Sequence, residues 1–439
     1  MAEQSKKVLI ITYYWPPGSG PGVQRFLKMS KFLPQLGWKP VVLTVKNGSY
    51  PSYDETLLEE IPDELSTYRT KTIEPFTIYN RLTGGKGKKI GVGMIGMHHK
   101  KSLAKKISLY IRANYFFPDA RKGWIPFAYK KALKIIRNEK IDVVVTTGPP
   151  HSSHIIGLKL KRKLGIPWLV DMRDPWVNNF FNMSLPRTNR TIRKEKKYED
   201  LILSKADSVT TVSQGLRNEF ADRNSKTEVI YNGYDAEDIP EPSRNKQSEF
   251  LLSYVGNMKP NQNIHALWEA ISELKEEISD FSDYFRINLT GNLDEGIKEE
   301  FRQLNLLEMS RINPFVPHKE ATRIMDRSGL LLFIVPQARS NKMIITGKLF
   351  EYIATRSPVL PVGPTDGNAA AILRESNRED MIEYSDKEKI KELIVHYFNK
   401  WKEDGFVNFK HPASNTRNFS RFASTEKLAA ILKDLAYDH

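Results

Sequence analysis

The 439-residue sequence contains no cysteine, so disulfides, zinc–thiolate centres and cysteine nucleophiles are excluded at the outset. No stretch stays apolar over the roughly 20 residues that a membrane-crossing helix needs. The start, Met1-Ala-Glu-Gln-Ser-Lys-Lys, lacks a long apolar region with a small-residue cleavage site. No signal peptide is therefore expected, and the expected compartment is the cytoplasm. Nor is there an Asp-x-Asp triplet, so the sequence gives no support for a divalent ion bridging a diphosphate, and no metal site is expected. Acids are missing where bases crowd: between Lys86 and Arg137 the one acidic residue is Asp119.

What is present is enough for two to three domains, with 40% hydrophobic residues to fill their cores. The net charge of +15 is concentrated in the basic segment from Lys86 to Arg137. Leu103, Ile107, Tyr110, Tyr115 and Phe116 are interleaved there, a pattern suited to an anionic bilayer surface, where each Lys or Arg adds about 1 kcal/mol. Lys100, Lys101, Lys105 and Lys106 form the expected contact face. Nucleic acid is the competing electrostatic partner, argued from charge alone and not expected, and a solvated basic surface is the plain alternative.

The chain opens as strand, glycine-rich loop, helix, strand: Lys7–Thr12, Tyr13–Arg25, Phe26–Leu36 closed by Gly37, then Val41–Val45. Glycines at 18, 20 and 22 do not fit the dinucleotide fingerprint. A formal match at Gly91–Gly96 follows no strand and is set aside. Asp142–Thr147 is a parallel-type strand leading into Gly148-Pro-Pro-His-Ser-Ser-His154, and ligands of such sheets bind outside strand carboxyl ends. His151 or His154 could contact a substrate hydroxyl there, or make a structural hydrogen bond. Trp168–Trp176 is a strand with a polar tip, where Arg173 and Asp174 could pair in a cleft or as ordinary structure. Strands at Ser208–Ser213 and Thr227–Asp235 follow. Polar, proline-bearing Ala236–Glu249 reads as a linker. The pattern then restarts: Phe250–Val255, a polar turn, a helix over 264–278, strands at Arg286–Gly291, Ile312–Pro317 and Gly329–Val335, and an amphipathic helix over Phe419–Leu435 at the end.

Thr346-Gly-Lys-Leu-Phe-Glu-Tyr-Ile-Ala354 brackets three polar groups with helix signals. Thr346 can cap the helix, and Leu349, Phe350, Ile353 and Ala354 make one apolar face. Free N–H groups, Gly347 and Lys348 at the helix start suit a diphosphate, and Glu351 could accept from sugar or ribose hydroxyls. An amphipathic helix carrying two solvated charges is the alternative reading.

This run before Pro358-Val-Leu-Pro-Val362 resembles the donor-site helix of retaining glycosyltransferases of family GT4, which have the GT-B fold. Asp171-Met-Arg-Asp-Pro-Trp176, Ala206-Asp-Ser-Val209 and Val229-Ile-Tyr-Asn-Gly-Tyr-Asp235 resemble further landmarks of that family. The resemblance implies an α/β chain of two Rossmann-like, doubly wound domains facing a cleft. These would be an acceptor domain over 1–235 with a basic insertion at about 76–130, a linker over 236–249, a nucleotide-sugar donor domain over 250–415, and a helix over 416–439 packing back on the first domain.

It also implies roles. Asn257, Lys259, Arg339, Thr346, Gly347, Lys348 and Glu351 would bind the donor, with Lys342 as a further phosphate cation. His151, Glu351 and Lys348 would be catalytic, and Gly20, Gly22, Gln24, Arg25, Thr147, His154, Arg173 and Asp174 would line the acceptor cleft. Where relatives carry a histidine close to the end of the Asp142–Thr147 strand, the aligned position looks like Thr147. Three positions depart from the pattern: Met343 replaces the first of two paired glutamates, Asn257 an arginine, and Arg356 a glycine. If that last turn needed a positive φ, Arg356 would be strained by about 1 kcal/mol or more. The implied reaction moves a sugar from a nucleotide-sugar to a glycan or lipid-linked acceptor in cell-surface polysaccharide synthesis. It needs no cofactor beyond the nucleotide-sugar substrate and no obligatory protein nucleophile. A nucleotide-sugar epimerase and a non-catalytic binding or scaffold protein are the alternatives.

Overall fold

The computed structural model describes residues 5–73, 103–179, 185–239, 246–339, 341–405 and 414–437. Gly91–Gly96, Lys100 and Lys101 lie outside them, as do the side chains of Lys105 and Lys106. The chain divides into two units, Met1–Tyr231 with Ser424–His439, and Asn232–Ala423.

In the first unit, β1 (Lys6–Ile11), β2 (Trp38–Val45), β3 (Ser66–Thr70), β4 (Val143–Gly148), β5 (Trp168–Met172), β6 (Ser208–Thr211) and β7 (Thr227–Val229) form one parallel sheet. Its order is β3-β2-β1-β4-β5-β6-β7. Val8, Leu9, Ile10 and Ile11 are all fully buried because helices cover both faces, which is why the sequence runs apolar without alternating. One covering element comes from the far end of the chain. Leu428, Leu432 and Leu435 of the Arg421–Tyr437 helix pack in the same cluster as Val8, Ile10 and Phe26.

In the second unit, β8 (Phe250–Val255), β9 (Phe285–Thr290), β10 (Ser310–Asn313), β11 (Leu330–Ile334) and β12 (Val359–Val362) run parallel in the order β10-β9-β8-β11-β12. Both sheets are doubly wound. The order reverses between β1 and β4 in one and between β8 and β11 in the other, and a crevice opens at such a reversal outside the strand carboxyl ends.

Some boundaries shift from those expected. The first helix runs Pro21–Phe32, because Pro21 pre-sets its first turn ahead of the apolar face, and Leu33–Leu36 tightens into a 3₁₀ turn before Gly37 at φ 80°. The strand expected at Ile312–Pro317 is Ser310–Asn313, since Pro314 has no N–H to continue the ladder with β9. Arg356 is not among the described residues with positive φ, so the strain that a left-handed turn would impose is absent.

Candidate functional site

The second unit's reversal point is organised by Gly256, directly after β8. Its φ of +119° is one that a side chain rarely adopts, and a Cβ there would stand 2.6 Å from both Cε and Nζ of Lys348. The lysine uses that space. Its Nζ rests 3.8 Å from the centroid of the Tyr254 ring, which is fixed because the phenol donates to Asn257 O at 3.1 Å and accepts from Gln262 Nε2 at 2.9 Å. Among the described residues no carboxylate is within ion-pairing distance of Lys348. Burial pushes its pKa down to about 7, against the partial support of Glu351 and with a further push from Lys259. Lys348 is thus a desolvated cation without a bonded counter-ion, unlike the solvated surface charge of the plainer reading.

Lys348 lies in the first turn of the Gly347–Ala354 helix, where free N–H groups favour an anion. Thr346 occupies the cap position by its backbone, φ −87° and ψ 153°, but makes no side-chain cap. Its Oγ1 is buried with no hydrogen-bond partner among the described residues. The expectation of a threonine cap is therefore corrected: the hydroxyl is left without a hydrogen bond at the helix start.

Glu351, one turn further on, is half-buried with no hydrogen bond among the described residues. Burial raises its pKa, opposed by His318, Arg421 and Lys348 and reinforced by Asp238. His318 Nε2 lies 3.3 Å from Asp238 Oδ2, and Arg421 Nη1 lies 3.9 Å from the same oxygen. That hydrogen bond to Asp238 raises the His318 pKa. None of these three neighbours was singled out from sequence, because an isolated His or Asp at a helix or turn start reads as a surface residue.

The other expected donor residues sit apart from this centre. Asn257 is exposed and accepts from Asn292 N at 3.1 Å. Lys259 is exposed but within electrostatic reach of Lys348. Arg339 is exposed and contacts none of these groups. Lys342, expected to supply phosphate charge, pairs instead with exposed Asp366.

The first unit's reversal point is built differently. Arg25 Nε and Nη2 donate to Asp171 Oδ1 at 3.2 and 2.8 Å, and its Nη1 donates to Ile230 O and Tyr231 O at 2.8 and 3.0 Å. Thr210 and Thr147 donate to the same carboxylate at 2.9 and 2.7 Å. Arg25 and Thr147 are 2% and 1% exposed, so the expectation that they touch an acceptor is corrected: they brace the loop ends from within. Arg173 does not pair with Asp174, which is exposed. Its Nε donates to Thr147 Oγ1 at 3.2 Å and sits 3.9 Å from Asp171 Oδ2, while Nη2 donates to Pro149 O at 2.6 Å. Gly22 makes room for it, as a Cβ there would lie 2.1 Å from Nη1. Gly20 and Gln24, at the start of the same helix, keep partial exposure.

His154 is fully buried, its Nδ1 2.9 Å from Thr146 Oγ1, so it too is structural rather than an acceptor contact. Burial holds it neutral, with a pKa down to about 3. His151 is 5% exposed and its ring lies 4.7 Å from the Trp176 ring at 4°, which Phe117 stacks on in turn at 5.5 Å. Burial, then His154 and Arg173, hold His151 well below its ordinary pKa. Asp119, the lone acid of the basic segment, accepts from Ser152 N and Oγ at 2.8 and 2.7 Å and from Arg121 N at 2.8 Å. It ties that segment to the His151 loop. Among the described residues no group of three or more His, Cys, Asp or Glu could hold a metal ion.

No curated protein matches the chain by sequence. Residues 92–238 match the family model described as Glycosyltransferase Family 4, and the two doubly wound sheets have the arrangement of solved glycosyltransferases. The chain is thus similar to family 4 glycosyltransferases over residues 92–238, and its fold as a whole is GT-B. The chain superposes on sucrose-phosphate synthase from Thermosynechococcus elongatus with TM-score 0.62 at 13% identity, over 99% of this chain and 100% of that one. TarM of S. aureus, solved as a mutant with fondaparinux, alpha-GlcNAc-glycerol and UDP, gives 0.59 at 12% identity over 97% and 99%. WaaG, described as a glycosyltransferase involved in lipopolysaccharide biosynthesis, gives 0.55 at 12% identity over 97% and 99%. At such identities the shared property is the fold.

Proposed function

We propose that the chain is a glycosyltransferase that holds the diphosphate of a nucleotide-sugar at Lys348 and passes the sugar, with retention, to a glycan or lipid-linked acceptor of a cell-surface polysaccharide. The observation that carries this reading is the unpaired Lys348 ammonium, seated against Gly256 at a helix N-terminus. When the bond to the sugar breaks, negative charge grows on the diphosphate. A cation and free N–H groups already aimed at it need no reorganisation at that moment. Glu351 takes the sugar hydroxyls, without the second carboxylate that Met343 removes. No cofactor and no metal enter this reading. The UDP bound in the TarM structure and the role of WaaG support a nucleotide donor and a surface glycan.

The acceptor belongs to the first unit, with His151 as a neutral hydrogen-bonding group beside it. The basic segment would hold the protein peripherally on an anionic inner membrane face, and no nucleic-acid partner is proposed. Among the described residues no helix is long and apolar enough to cross a membrane, whereas Tyr110, Ile111 and Tyr115 are 45%, 43% and 66% exposed. Salt should release the protein, because exposed charges are screened beyond about 8 Å at physiological ionic strength. Flotation should therefore favour anionic over neutral vesicles and fall when Lys100, Lys101, Lys105 and Lys106 are neutralised; equal recovery on both vesicles removes the membrane from the account.

Calorimetric titration of UDP-, GDP-, ADP- and TDP-sugars, followed by turnover with and without acceptor, tests the transferase itself. Acceptor-dependent product with the donor's anomeric configuration is expected. Free products without acceptor would make it an epimerase, and binding without turnover a scaffold.

A further inference from the structure

The Lys348 ammonium has a built seat, made by β8 and by the loops that follow β8 and β9. Tyr254, the next-to-last residue of β8, is 1% exposed and turns its ring face to Nζ at 3.8 Å. A π face is electron-rich, so it attracts an ammonium where no carboxylate is in reach. The ring is held in that orientation. Its hydroxyl donates to Asn257 O at 3.1 Å and accepts from Gln262 Nε2 at 2.9 Å, and Gln262 Oε1 accepts in turn from Lys259 N at 3.2 Å.

The side of the seat is backbone. Gly291, directly after β9, has φ +122°, much like Gly256, and a Cβ there would lie 2.7 Å from both C and O of Gly256. Gly256 N donates to Thr290 O at 2.7 Å, Met258 N to Asn292 O at 2.9 Å and Asp294 N to Met258 O at 3.1 Å, which laces the two loops together. Lys348 thus meets a fixed wall and a fixed ring. An ammonium carries three N–H donors, and those turned away from the ring are left for an anion at the helix start. Packing of the lysine stem would need only the shape of the ring, whereas attraction of the charge needs its electrons, so the two can be separated.

We propose that Tyr254 is a positioning residue of the donor site: its ring face holds the Lys348 ammonium in place and favours its charged form, both in the free protein and under the bound diphosphate. This role deepens the transferase reading and rests on it for the diphosphate, but the contact itself is tested without any ligand. Burial works against the charge, Glu351 on the same helix supports it, and Lys259 from the loop after β8 opposes it. The ring is a further support. Weakening its face should let burial carry the Lys348 midpoint below about 7.

The experiment uses the full-length protein with lysine isotope-labelled at Cε and follows its signals through pH by NMR, Lys348 being the signal missing from Lys348→Ala. Tyr254 is replaced by phenylalanine and by trifluorophenylalanine, which keeps the ring's shape while drawing electrons from its face. With the fluorinated ring the Lys348 midpoint should fall by about one pH unit relative to Tyr254→Phe, the scale of a desolvated contact of this kind. UDP, GDP, ADP and TDP are then titrated against both variants. For the nucleotide that binds, fluorination should cost about tenfold in affinity near pH 8.5, where the lysine must take up a proton, and less than about twofold near pH 5, where it already carries one. Equal midpoints in the two folded variants overturn the proposal. Tighter binding by the fluorinated protein near pH 5 also overturns it, because the ring would then compete with the ligand. Should both replacements melt early, difluorotyrosine at the same position keeps the hydroxyl and repeats the comparison against the unmodified protein. Failure of the donor reading looks different: a Lys348 midpoint that follows fluorination, with none of the four nucleotides bound.

Discussion

The two reversal points share a topology but use their buried charges in opposite ways. In the first unit Arg25 is saturated by one carboxylate and two carbonyls, and Asp171 accepts from three side chains. In the second, Lys348 has an aromatic ring beneath it and no bonded anion among the described residues, and Thr346 Oγ1 is left without a partner. The contrast separates a brace from a binding group. A buried charge with its partners in place holds loops together, whereas one held short of partners is stable only if a ligand completes it.

The largest effect expected from breaking this contrast is on the brace. Arg25→Met strands the Asp171 carboxylate and should destabilise the first unit by about 3–5 kcal/mol, read by urea unfolding followed at its tryptophans. A cost under about 1 kcal/mol would mean that water replaces the guanidinium. Next comes Lys348→Ala, which should weaken nucleoside-diphosphate binding by about 1.5–3 kcal/mol with little change in melting. Gly256→Ala should act in the same direction, since its Cβ would displace the ammonium. Glu351→Gln should lower turnover while leaving the affinity for free nucleotide nearly intact; an equal loss of affinity would move the carboxylate to the nucleotide. The smallest effect is at the cap. Because the Thr346 hydroxyl caps nothing, Thr346→Val should change stability by less than about 0.5 kcal/mol, where a working cap would cost about 1 kcal/mol.

Much of the scaffold was legible. Unbroken apolar runs such as Val8–Ile11 and Val143–Val145 marked strands buried on both faces, and the loops at their carboxyl ends marked where ligands belong. Lys348 and Glu351 stood out because a helix start combined with glycine and lysine has a physical use. What sequence could not supply was pairing across the chain. Asp171 lies two residues from Arg173, yet its closer ion pair is with Arg25, brought over by the neighbouring of β1, β4 and β5. Asp119 read as one acid among many bases, but it caps the Ser152 turn from a distant segment. Gly256 looked like an ordinary turn glycine until its contact with Lys348 gave it a purpose, and the cluster of His318, Asp238 and Arg421 joins three segments that share no local pattern.

The central claim is that Lys348 is kept desolvated for a diphosphate, and proton uptake on binding tests it most directly. With a pKa held at about 7, Lys348 is largely neutral above pH 8 and must gain a proton to meet an anion. Affinity for the nucleoside diphosphate should therefore fall as pH rises from about 7 to 9, by at most about tenfold per unit. Titrating UDP, GDP, ADP and TDP at pH 8 in buffers of different ionisation enthalpy should reveal close to one proton taken up by the unmodified protein for the nucleotide that binds, and none by Lys348→Ala. Binding without proton uptake, or the same uptake in the variant, would contradict the account.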